Sequence, residues 1–108
     1  MAEHDPFEIS VTISLREQLE KLKDGEMNIF NRIDIYGLEP IDVKDYIGVL
    51  SASLQLGGRV NVGFSRSSDD PEVRELIDNH KYYNFEKAEI RGVGSQCALI
   101  FHKSKTKF

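Results

Sequence analysis

Phe7, Ile9, Val11, Ile13 and Leu15 alternate with polar residues from Phe7 to Leu15. A period of two over this stretch, rich in β-branched side chains, predicts a strand with one buried and one wet face. Ser14 then stands where a short helix would be capped, with Glu17 three positions on in capping-box spacing. Leu15, Leu19 and Leu22 supply that helix with an apolar stripe, and Asp24-Gly25 marks its end. Ile29, Phe30, Ile33, Ile35 and Tyr36 predict a second strand, broken by Gly37-Leu-Glu-Pro40.

The segment from Pro40 to Leu56 supports two patterns. As a helix it has proline in the first turn, a face of Val43, Ile47, Leu50 and Leu54, and glycine at its end. As a strand it alternates Leu50, Ala52, Leu54 and Leu56, turns at Gly57-Gly58 and returns through Val60, Val62 and Phe64. The helix accounts for more positions, and Val60–Phe64 is a strand under either pattern. Ser67–Asp70 followed by Pro71 carries the clearest helix start: a polar cap, proline in the first turn, and Glu72 and Glu75 near the positive end of the dipole. Lys81–Val93 and Gln96–His102 form a terminal hairpin across Gly94-Ser95.

These elements predict an α+β fold: a mainly antiparallel β-sheet of about five strands, two or three helices packed on one face, and a C-terminal β-hairpin. A length of 108 residues suits one domain. The expected boundaries are a frayed N-terminus over 1–6, a single domain over 7–102 and a basic tail over 103–108.

Charge sharpens the functional reading. Residues 1–54 hold 5 Lys/Arg against 11 Asp/Glu, a net −6, while residues 55–108 hold 9 against 7, a net +2. Such a chain is far less basic than a general nucleic-acid-coating protein. The single Cys97 excludes an internal disulfide and a cysteine-based zinc site. A reducing, cytoplasmic setting is therefore expected, with neither a leader over the polar Met1–Pro6 nor a membrane segment.

Candidate chemistry concentrates near the C-terminus. Arg91-Gly-Val-Gly-Ser-Gln96 partly overlaps the Arg/Gln-x-x-Gly-x-Gly/Ala loop of acyl-CoA-dependent N-acetyltransferases, but Gln96 replaces the last small residue and a β-like run follows. Nor does a Gly-Lys-Ser/Thr triplet complete a phosphate-binding P-loop. The glycines are better read as shaping the hairpin. Cys97, between apolar neighbours, reads as core filling, and strand parity separates it from His102. His4, His80 and His102 lack metal-ligand spacing, and Asp34, Asp42 and Asp45 match no magnesium motif. No metal and no cofactor is called for.

Tyr82, Tyr83 and Phe85 cannot all point one way in an extended chain, so an exposed aromatic is expected there, suited to docking a protein. Arg91, His102, Lys103 and Lys105 are candidate contacts for an anion or nucleic acid. The expectation is a small non-enzymatic protein-binding module of adaptor or inhibitor type. Alternatives are a single-stranded nucleic-acid or nucleotide binder built on the hairpin and tail, and a small enzyme using the Gly92–Ser95 loop or Cys97. Edge strands also leave a homodimer open.

Overall fold

The computed structural model describes residues 9–22 and 29–105. Along the chain run β1 (Ser10–Ile13), α1 (Arg16–Leu22), β2 (Phe30–Ile35), α2 (Pro40–Ser53), β3 (Leu54–Phe64), α3 (Pro71–Asp78), β4 (Lys87–Val93) and β5 (Gln96–His102). The five strands form one sheet in the order β1-β2-β3-β5-β4. β1 and β3 both lie parallel to β2, whereas β5 is antiparallel to β3 and to β4. The expectation of a mainly antiparallel sheet is therefore corrected: the sheet is mixed, and its first three strands form a βαβαβ unit through the crossover helices α1 and α2.

The physical cause of the misreading is the sheet's second face. Parallel strands are normally covered on both sides and read as continuous apolar runs, whereas alternation signals a half-wet antiparallel sheet. Here Ile33, Ile35, Val60, Val62, Leu99 and Phe101 turn to the helices and are buried with Leu19, Val43, Leu50, Val73 and Leu76 in one core. The intervening residues face away, and most are polar or small. Asn61 Nδ2 donates to Asp34 Oδ1 at 2.9 Å, Arg32 Nε donates to the same carboxylate, and His102 pairs with Glu89 at 3.3 Å. A parallel unit with one helix layer therefore carries the alternation of an antiparallel one.

The ambiguous 40–56 segment is a helix that becomes a strand without a loop. Pro40 occupies the first turn, and Asp42 Oδ2 accepts from the Glu39 amide at 3.4 Å. Val43, Tyr46, Ile47 and Leu50 bury one face. The C-terminal carbonyls of Ser51 and Leu54 each accept from Lys103 Nζ at 2.8 Å, so a cation closes the negative end of the helix. No hairpin forms at Gly57-Gly58. β3 runs through both residues, with an irregularity where its register against β2 shifts between Phe30 and Arg32.

Other local signals resolve simply. Asp70 caps α3, accepting from Glu72 N at 2.9 Å and Val73 N at 3.4 Å. At α1 it is Gln18, not Glu17, that reaches back, its Oε1 accepting from the amides of Ser14 (2.7 Å) and Leu15 (3.0 Å). Leu19 and Leu22 are buried, while Leu15 is exposed. The Asp24-Gly25 end of this helix and the 1–6 terminus lie outside the described residues. The boundary at residue 103 shifts: Lys103 N donates to Gly58 O, Ser104 O accepts from Gly57 N, and Ser104 is buried. Among the described residues, no helix is long and apolar enough to cross a membrane.

Candidate functional site

At the carboxyl ends of β2 and β3, the sheet's polar face carries a trough. Its floor follows from pairing. Gly63 on β3 is opposite Ala98 on β5, and Ala98 is opposite Arg91 on β4. Tyr36, the residue after β2, completes the row: a β-carbon built on Gly63 would lie 3.6 Å from Tyr36 Cδ1. Two positions with little or no side chain thus sit between an aromatic ring and a guanidinium. The resulting cavity is about 530 Å³, within the range of small-molecule sites, with Ser65 and Gln96 on its lining.

The walls are held by the loops that follow the parallel strands. Gly37 turns the chain out of β2 with a φ of 71°, a conformation glycine adopts without strain. Beyond β3, Arg66 gathers three carboxylates: Glu39 from the loop after β2, and Asp70 (3.2 Å) and Glu72 (3.0 Å) from the start of α3. The bond to Glu39 above all, opposed by burial and reinforced by Asp70 and Glu72, pushes the guanidinium further above its ordinary range. One cation therefore ties both loops together beside the trough.

The hairpin forms the far wall. β4 and β5 meet across the turn Gly94-Ser95, with Gly94 at φ 65°. Gly92 faces Cys97 so closely that a β-carbon there would lie 2.8 Å from Gln96 O and 2.9 Å from Cys97 Cβ. This glycine permits the close approach of two strands. Cys97 also lines the cavity but is buried, and burial first, then the negative charge of Asp70, pushes its thiol above its ordinary value. A neutral thiol is a weak nucleophile.

Of the residues singled out from sequence, Arg91 stands at the trough. It is exposed, and among the described residues it has no ion pair. His102 lies two rows away on the same sheet face, bonded to Glu89, so it and Cys97 occupy opposite faces. Lys103 is turned to α2, where its burial lowers its affinity for a proton. Lys105 is exposed and lies by Gly57, whose added β-carbon would be 3.3 Å from Lys105 Cγ. Tyr82 is 84% exposed and stacks edge-on against Tyr83 at 5.5 Å. Phe85 is not on the surface at all: it is 1% exposed, with its ring 5.1 Å from that of Phe101 in the core. Among the described residues, no three His, Cys, Asp or Glu side chains gather as metal ligands.

Tyr36 and Gly63 were missed by the sequence reading. The available signal was Gly63 itself, because a glycine inside an otherwise apolar strand often marks the close approach of another group.

No protein-family model matches the sequence, and no curated protein is similar to it. Solved structures do share the arrangement. An O-methyltransferase family protein from Burkholderia thailandensis superposes with a TM-score of 0.59 at 10% identity, over 82% of this chain and 34% of its own. PigF, solved with SAH, gives 0.58 at 12%, over 88% and 43%. The tRNA (m1A58) methyltransferase TrmI from Aquifex aeolicus gives 0.57 at 15%, over 92% and 54%. The fold is Rossmann-like, shared with these structures.

The chain spans roughly a third to a half of the length of these proteins. The likeness corrects the expectation of a non-enzymatic module of adaptor, inhibitor or regulatory type. That expectation rested on finding no catalytic motif in a supposedly antiparallel sheet, whereas solved structures that share the mixed sheet include methyltransferases.

Proposed function

We propose that this chain is a methyltransferase-type α/β unit that holds the methyl acceptor in the trough between Tyr36 and Arg91. One observation carries the reading. The trough opens at the carboxyl ends of β2 and β3, the end of an open α/β sheet where ligands collect. Methyl transfer asks the protein to position and desolvate an acceptor atom, not to form a covalent intermediate. The trough can do this with the ring of Tyr36 as a wall, Ser65 and Gln96 as hydrogen-bonding groups, and Arg91 as a fixed charge. Cys97, neutral and buried, takes no nucleophilic part.

S-adenosylmethionine, the usual methyl donor of this fold, supplies an electrophilic methyl group. The described residues do not fit it. Its sulfonium and ammonium groups are cations and its ribose hydroxyls suit a carboxylate, whereas the charged residue lining the trough is Arg91. The turn after β1 offers no substitute. It is Ser14-Leu15 rather than a glycine loop, both amides are already bonded to Gln18, and Gly37 approaches Ser14 O. The reading therefore assigns this unit the acceptor side, with the donor held by other residues or a partner.

The test is methyl transfer from tritiated S-adenosylmethionine by the assembly recovered with the chain from its own cells. Transfer that falls at least tenfold with Gly63→Val supports the reading. An assembly with no transfer removes the enzyme, and tight binding of the donor by the isolated chain overturns the division of roles.

A further inference from the structure

We infer that the trough is built for a nucleoside monophosphate, its base against Tyr36 and its phosphate on Arg91. The inference deepens the acceptor-side reading above and rests on it for the location of the site. Three features of the row specify the ligand. Gly63 and Ala98 leave a bare, flat floor two strand positions wide, about 10 Å at ordinary strand spacing. A flat floor beside an aromatic ring selects a planar group, and Tyr36 keeps 52% of its surface exposed for stacking. At the opposite wall the guanidinium of Arg91 has a planar fork of donors suited to phosphate oxygens.

The surrounding charges leave that guanidinium to a ligand. The carboxylates on the next row are Asp34 and Glu89. Asp34 is bonded to Arg32 and Asn61, and Glu89 is bonded to His102 (3.3 Å) and Lys87 (3.4 Å). Arg91 is thus the cation of this face that combines exposure, a place on the cavity and freedom from a carboxylate partner among the described residues. The same arrangement disfavours a cationic ligand. A neutral ring would leave the arginine without a counter-charge. Gln96 and Ser65 on the lining supply hydrogen bonds for base edges or ribose hydroxyls.

The test is calorimetric titration of the full chain with AMP, GMP, CMP and UMP, the matching nucleosides, and inorganic phosphate. At least one monophosphate is expected to bind at least tenfold more tightly than its nucleoside and than phosphate alone. Arg91→Ala should reduce that monophosphate to the level of the nucleoside, and Tyr36→Ala should weaken both about equally. Both variants lie on exposed positions, and a melting temperature near that of the native chain confirms folding. Equal binding of nucleoside and monophosphate, or no binding of any of them, overturns the inference. Methyl transfer that still depends on Gly63 would then leave the acceptor-side reading standing with another substrate. Monophosphate binding by an assembly that transfers no methyl group would do the reverse.

Discussion

Tyr36, the residue after β2, sits beside Gly63 of the neighbouring parallel strand β3, and the glycine adds no side chain next to the half-exposed ring. A β-carbon on Gly63 would meet Tyr36 Cδ1 at 3.6 Å, an ordinary contact, so an alanine side chain fits there without displacing the ring. Gly63→Ala should therefore stabilise the fold by about 0.5 kcal/mol, since glycine weakens a strand interior. Gly63→Val should fold equally well yet lose ligand binding. Denaturant midpoints beside ligand titrations check this, and a destabilised alanine variant would mean that the floor is already closed.

Gly92 behaves in the opposite way. Its added β-carbon would collide with Gln96 O and Cys97 Cβ at 2.8 and 2.9 Å, and the first of these is backbone that cannot swing aside. Gly92→Ala should cost about 1–3 kcal/mol through overpacking of the hairpin. Equilibrium unfolding in urea measures it, and a neutral substitution would show that β4 and β5 separate easily.

How far the sequence carries can be judged from these residues. Asp70-Pro71 revealed the start of α3, and Gly94-Ser95 revealed the turn of the hairpin, because caps and turns are written in adjacent residues. Parallel pairing was hidden because β1, β2 and β3 alternate, an effect of the open polar face and not of strand direction. Lys103 reads as part of a tail until α2 and β3 place two carbonyls within its reach. The trough was hidden for a related reason. Tyr36, Gly63, Ala98 and Arg91 are scattered over four elements or their ends, and only the register of the sheet brings them into one row.

The thiol of Cys97 should resist modification. Burial and the neighbouring Asp70 keep it protonated above the ordinary cysteine range, so labelling by a disulfide reagent at pH 8 should be slow and should accelerate only on unfolding. Rapid labelling of the native chain would contradict this placement.

Acid should loosen the loops beside the site. Burial raises the pKa of Asp70, but the Glu72 amide and Arg66 outweigh it, so the folded value is depressed. The Glu89 value is also depressed, by His102 first and then Lys87. A depressed carboxylate adds stability above its unfolded pKa of about 4, and that contribution is lost as pH falls through the lower folded value. Melting temperatures should fall below about pH 4, and the fall should be shallower in Asp70→Asn with Glu89→Gln. An identical acid profile in the double variant would assign the loss to other groups.

Mapping backbone amide shifts during titration with a library of nucleoside monophosphates tests the central claim most directly. The account predicts the largest shifts at residues 36–37, 63–65 and 91–98, the rim and floor of the trough. Largest shifts around Arg59, Lys87 and His102, or on the three helices, would contradict it.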